Sequence, residues 1–259
     1  MEKSSGLHIL YKKLGETPLQ SIQRFKGENP EYEGVPMTYA GRLDPMAEGL
    51  LPVLSGERVG EKEKFLDLPK TYVFEVLWGF DTDTLDILGK VSQCESTQYL
   101  VPSKEEIEEV LRNSIGKIEQ KYPNYSSKPV LGVPLFDLSR QELLHTVEIP
   151  THEVEIHDAK YISRRTVAGG ELLSEIERRI ALVTGDFRQE EIMHRWSEML
   201  SKMPSYTRYI IDTAEITVSR GFYVRQFVAD FSRNFGTFAI AFHIFRSKIG
   251  DFDLKAVEN

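Results

Sequence analysis

The chain has 259 residues, 41% of them hydrophobic, which suits one large globular domain or a domain with a small satellite. There is no apolar run long enough for a transmembrane helix, the apolar run at residues 7–10 is too short for a secretory leader, and a single cysteine, Cys94, rules out an internal disulfide and suits a reducing cytoplasm. The net charge of −8 argues mildly against a polyanionic partner, so any nucleic-acid surface must come from local placement of Lys and Arg.

In chain order, "LHILY" (7–11) reads as a short strand broken by Gly15 and Pro18. Residues 17–30 open a helix after Thr17, with Pro18 at its first position. "NPEYEGVP" reads as a loop. "KTYVFEVLWGF" (70–80), rich in β-branched and aromatic residues, predicts a strand, and "DTDTLDILGKV" a polar turn after it. Ser103, three residues before Glu106, forms a capping box for a helix with Gly116 as its stop. Residues 122–141, with three prolines and several serines, read as an irregular loop. The alternation in "VEIPTHEVEIHDAKYI" predicts one strand or a pair. Residues 169–201 predict a helical pair broken near "TGDF", with Leu172, Leu173, Ile176 and Ile180 on the buried stripe. "AEITVSRGFYVRQFVADFSRNFG" reads as strand, glycine turn at Gly221, then helix, and "AIAFHIFRSKIGDF" as a strand and tail. Residues 208–248 carry six basic residues against three acids, with Phe222, Tyr223, Phe227, Phe231 and Phe235 interleaved, a basic stretch in an acidic chain. Strands and helices mix without strict alternation, which indicates an α+β fold.

The six histidines form no zincin-type pair, His152 and His157 are five apart and would face opposite sides of a strand, and one cysteine cannot build a structural zinc site. No metal is therefore expected. Phosphate-binding glycine motifs and a nucleophile elbow are absent. Attention falls on "YAGRLDPMAEGLLP" (39–52) and its acid, Asp44. An Asp-Pro pair opens turns without any chemistry. Yet Gly41 allows a sharp bend beside the acid, Pro45 biases Asp44 towards an extended backbone, and "GLLPVL" would anchor the loop in the core. Such a loop fixes one carboxylate rigidly, and a reactive carboxylate needs a cationic partner.

"GRLDPMAEGLLPVLSGE" resembles the catalytic motif of pseudouridine synthases, those of the TruB type acting at uridine 55 of tRNA in particular: G-x-L-D-P-x-A-x-G-x-L-P. Five further segments resemble that family in the same order, from residue 6 to residue 252: "GLHILYKKLGETP", "KTYVFEVLWGFDTDTLDILGKV", "QKYPNYSSKPVLGVPLFDLSR", "VSRGFYVRQFVADF" and "IFRSKIGDF". The resemblance implies a pseudouridine synthase fold, with a mixed, mainly antiparallel central sheet flanked by helices and loops. It implies a cytoplasmic, cofactor-free, monomeric enzyme that makes pseudouridine in the tRNA T-arm with no membrane or protein partner. Asp44 matches the catalytic aspartate, Tyr72 the tyrosine that stacks on the target base and can serve as a base, and Arg225 the arginine paired with the aspartate. Tyr39, Tyr223 and Ile244 fall where the family lines its uridine pocket, Lys12 matches a lysine of more structural role, and Gly41 and Arg246 complete the substrate-binding set.

The chain also departs from the pattern. Tyr39 stands where bacterial members carry histidine, Lys13 and Pro18 replace the usual proline and serine of the first segment, and Arg42 gives a G-R-L-D form similar to ribosomal-RNA synthases. A ribosomal-RNA target and a non-catalytic tRNA-folding helper are the alternatives. The expected organisation is one catalytic domain over residues 1–259, with an RNA-gripping loop at about 122–141 and an inserted helical pair at about 170–203. No small C-terminal RNA-binding module is expected after Phe252, and the inserted helices are expected to supply part of its RNA contact.

Overall fold

The computed structural model describes residues 5–95 and 101–257. Residues 1–4, at the start of the stretch weighed as a leader, and the terminal Asn259 lie outside the described residues. The centre is an eight-stranded sheet. Its strands are β1 (Gly6–Lys12), β2 (Met37–Tyr39), β3 (Ala47–Ser55), β4 (Lys70–Trp78), β7 (Gly116–Lys121), β10 (Thr151–Ala168), β11 (Arg208–Val218) and β12 (Ala239–Ile249). They run in the order β1-β3-β12-β4-β11-β10-β7, with β2 beside β3. Every pairing is antiparallel except β3 with β12, where Ile244 meets Ala47 and Arg246 meets Gly49. The sheet is therefore mixed and mainly antiparallel, and the class α+β.

Alternation along β4 assigns its two faces. Tyr72, Phe74, Val76 and Trp78 join one core with Phe227 and Phe231 of α7 (Val224–Arg233) and Ile107 and Leu111 of α3 (Lys104–Asn113). Leu77 turns to the opposite face, where Ile211, Ile240 and Phe242 meet α5 (Gly169–Ile180) and α6 (Gln189–Ser201). Both faces of the central strands are thus covered. The expected capping box of Ser103 with Glu106 opens α3, and the structure shows a second, Thr17 with Gln20, opening α1 (Pro18–Glu28).

Four differences from the sequence reading have physical causes. "GLLPVL", read only as an anchor, is the body of β3; it is buried on both faces, so it shows no alternation to announce a strand. The alternating segment before residue 163 is one 18-residue strand, β10, which continues through Arg164 and Arg165. Those arginines are tolerated there because Asp212, Glu75 and Glu175 pair with them. Residues 122–141 are more ordered than a loop: β8 (Pro129–Val130) and β9 (Val133–Pro134) form a minimal hairpin, and α4 (Leu135–Arg140) follows. Lastly, Phe227 and Phe231 of the basic stretch are on the core-facing side of α7, whereas Phe222 and Tyr223 face a cleft.

Candidate active site

Asp44 lies on the connection from β2 to β3, and several contacts fix that connection. Its carbonyl accepts from Ala47 N at 3.0 Å, so residues 44–47 form a β-turn with Asp first and Pro second, the preferred placement for both. Gly41 has φ +88°, in the left-handed region that favours glycine. Two buried cations hold the loop by its carbonyls rather than by counter-charges. Arg246 donates from Nη2 to Gly41 O at 3.0 Å and from Nη1 to Arg42 O at 3.5 Å. Lys12 donates from Nζ to Ala47 O at 2.5 Å, and burial lowers its pKa to about 8 against the opposing pull of Asp44 and Glu16.

The carboxylate stands at the floor of a cleft of about 700 Å³. Its Oδ2 accepts from Arg225 Nε at 2.8 Å. Arg225 itself is 3% exposed, and its remaining donors go to backbone: Nη1 to Thr84 O, and Nη2 to Tyr125 O at 3.3 Å. A second carboxylate, Asp86, lies 3.6 Å from Arg225 Nε. Asp86 is buried on the turn between β5 (Phe80–Thr82) and β6 (Val91–Cys94), where Thr84 Oγ1 donates to it at 2.6 Å and Leu88 N at 3.0 Å. Burial pushes its pKa up to about 6, although Arg225 and Thr84 pull the other way. Burial opposes the charge on Arg225, but Asp44 and Asp86 outweigh it and raise the arginine's pKa.

Tyr72 rises from β4 into the same cleft, with its hydroxyl 3.4 Å from Arg246 Nη1. Tyr223 faces it from the start of α7, with its backbone clamped by the Gln120 amide at 2.8 and 3.0 Å. Burial, then the charge of Asp44, pushes the Tyr223 phenol up to about 12. Tyr39 lines the rim, where Arg42 Nη2 donates to its hydroxyl at 3.2 Å and Lys62 Nζ lies 5.5 Å from its ring. The cleft therefore gathers Asp44, Tyr72, Arg225, Tyr39, Tyr223, Ile244, Gly41 and Arg246. Lys12 is the exception among the residues predicted to bind substrate. It is fully buried and does not line the cleft, because its ammonium is taken up by the loop carbonyls.

Sequence reasoning passed over Asp86, Lys70, Tyr125, Ser126 and Arg188, all on the cleft wall. Asp86 lies in the segment read as a polar turn, and its burial beside Arg225 sets it apart from the other acids there. Lys70, the first residue of β4, turns its ammonium to Leu66 O and Leu68 O, both at 2.5 Å, and burial lowers its pKa to about 8. The Ser126 hydroxyl is buried and has no hydrogen-bond partner among the described residues. Among those residues there is also no group of three or more His, Cys, Asp or Glu side chains able to hold a metal ion, and no helix long and apolar enough to cross a membrane.

This architecture is shared with solved proteins. The fold matches a chain in the crystal structure of a Cbf5–Nop10–Gar1 complex with TM-score 0.57 at 16% identity, over 96% of this chain and 50% of that one. It also matches a chain in an H/ACA RNP bound to a substrate RNA containing 2′-deoxyuridine, with TM-score 0.53 at 14% identity, over 96% and 49%. At such identities the likeness is one of fold. Residues 34–182 match the N-terminal domain of TruB family pseudouridylate synthases, and the chain belongs to that family. It is 28% identical to tRNA pseudouridine synthase B of Bartonella henselae over 263 residues, 98% of this chain and 67% of that protein. It is 36% identical to the protein of the same name from Caulobacter vibrioides over 126 residues, 49% of this chain and 39% of that protein. The chain thus spans well under two thirds of the length of the relatives it matches at higher identity.

Proposed function

We propose that this chain isomerises uridine to pseudouridine in tRNA, at position 55 of the T-arm, without a cofactor, as a monomer in the cytoplasm. The observation that carries the reading is the Asp44 carboxylate, fixed on a rigid turn 2.8 Å from a buried arginine and facing a cleft walled by two tyrosines. In the reaction the N1–C1′ bond breaks, a C5–C1′ bond forms, the proton on C5 leaves and N1 gains one. No electrons are exchanged with an outside agent. Asp44 serves the ribose, either attacking C1′ or removing the C2′ proton, and Arg225 holds it in line by a charge-assisted hydrogen bond. The target base must leave its stack to reach the cleft floor. Tyr72 offers it an aromatic face and a hydroxyl oxygen that can take the C5 proton as its own proton passes to solvent. The segment 122–141 would grip the T-arm.

Because C5 loses its hydrogen, turnover of a transcript tritiated at uridine C5 is read as tritium released to water. The expected result is release from unmodified tRNA by the wild type and none above background by Asp44→Asn, with RNA binding retained. Near-normal release by Asp44→Asn would remove Asp44 from the chemistry. Release from ribosomal RNA but not from tRNA would move the substrate.

A further inference from the structure

The pair α5–α6, expected from sequence to be an insertion that touches RNA, packs behind the turn that carries Asp86. The turn that carries Asp86 rests on it at several points. Ile87, Leu88 and Val91 share a core with Leu172, Ile176, Ile192 and Trp196. Trp196 Nε1 donates to Ile87 O at 3.1 Å, and Lys90 pairs with Glu191 at 2.6 Å. The connection between the two helices then crosses to the cleft. Its Thr184 accepts from Gln20 of α1 at 2.6 Å, and its Asp186 carbonyl accepts from Arg140 of α4 at 2.9 Å.

Arg188 lies at the end of this connection, with φ +64°, a left-handed conformation that a side chain disfavours. Its Nη1 donates to Asp83 Oδ2 at 2.7 Å, and its guanidinium lies 4.6 Å from the centre of the Tyr125 ring. Tyr125 OH donates to the same Asp83 oxygen at 3.2 Å. Asp83 also closes its own turn, accepting from Lys90 N at 2.8 Å. These three side chains join two segments otherwise far apart in sequence. The same two segments supply the carbonyls that hold Arg225: Thr84 O, next to Asp83, and Tyr125 O.

We propose that Arg188 is a positioning residue: by clasping Asp83 to Tyr125 it fixes the two carbonyls that aim Arg225 at Asp44. The helical pair then serves the reaction by bracing its wall, rather than by the RNA contact expected from sequence. This rests on the reading of the cleft as a uridine-isomerising site. Small misplacement of an orienting group lowers turnover steeply, by up to about 10²-fold.

The test uses Arg188→Ala, Arg188→Lys, Asp83→Asn and the double variant Asp83→Asn/Arg188→Ala in the full chain. Two readouts are taken: kcat and KM for tritium release from tRNA transcript, and backbone hydrogen exchange across residues 81–91 and 122–141 without RNA. Expected are a kcat about 10- to 100-fold lower in Arg188→Ala with KM nearly unchanged, partial recovery in Arg188→Lys, which keeps the charge on Asp83, and a double variant no worse than the poorer single one. Exchange should quicken in both segments while the melting transition stays cooperative. A raised KM with unchanged kcat would make Arg188 an RNA contact and overturn the proposal, as would unchanged exchange in both segments. If the wild type releases no tritium, the functional reading fails, and the exchange data still decide whether the clasp exists.

Discussion

Arg225 faces two carboxylates with one charge: Asp44 at 2.8 Å and Asp86 at 3.6 Å from the same nitrogen. Of the two, Asp86 is the buried one, and burial, only partly offset by Arg225 and Thr84, raises its pKa to about 6. The sign of the pH dependence follows. Between the ordinary Asp value near 3.9 and about 6, the folded protein holds a proton on Asp86 that the unfolded chain has released. The stabilising contribution of Asp86 is therefore complete below that window and lost as pH rises through it. Urea midpoints of wild type and Asp86→Asn should diverge with pH across the window, the wild type losing ground as pH rises, while a constant difference would place the Asp86 pKa elsewhere. The residues of this site were unequally legible. The turn that carries Asp44 was legible because Gly41, Asp44 and Pro45 encode it locally, whereas the acid's role came from the resemblance. Asp86 was not legible, because in sequence it is one acid among three in a polar turn, and its burial depends on residues distant in sequence, Arg225 and Ala241 among them. Lys12 was legible as a lysine of the site but not in its orientation, which depends on a carbonyl 35 residues away.

Among the elements, β3 does the most to assemble the cleft, and Gly49 is its tightest point. With φ +113°, a Cβ there would lie 2.3 Å from the Arg246 carbonyl oxygen on β12. The parallel contact between β3 and β12 thus requires glycine, and that contact sets Arg246 beneath Gly41 and Tyr72. Gly49→Ala should destabilise the fold by at least about 2 kcal/mol, through overpacking and backbone strain together, and should lower turnover beyond what stability explains. Urea unfolding and tritium release measured below the transition would check both parts, and unchanged values would show that the two strands can separate freely. Elements with local signals, such as Pro18 at the start of α1, the capping box of α3 and the β-branched and aromatic run of β4, were legible in the sequence. β3 and β7 were not, since a strand buried on both faces carries no period and an edge strand of charged and small residues carries little apolar pattern.

At the scale of the whole molecule, the charge is −8, yet Arg42, Lys70, Arg140, Arg188, Arg220 and Arg246 all line one cleft. Several of these are engaged by protein partners; Arg220, for example, pairs with Glu63 and Asp67 at 2.9 Å. Few phosphate contacts remain to be made. If three or four form, tRNA affinity should fall roughly 20- to 100-fold between about 50 and 200 mM salt, as measured by filter binding with Asp44→Asn. A far steeper fall would mean a basic surface extending beyond the cleft.

The order of strands in the sheet has a consequence during synthesis. β12, the latest of these strands in chain order, lies not at an edge but between β3 and β4. Until it is made, β4 and the first residues of β3, Ala47, Glu48 and Gly49, lack the neighbour that joins them. Unpaired apolar edges recruit other chains. A ribosome that stalls before residue 239 would thus release a product split through the middle and prone to aggregate. β12 supplies both Arg246 and the closure of the sheet, so the cleft and the join between β3 and β4 form in the same step.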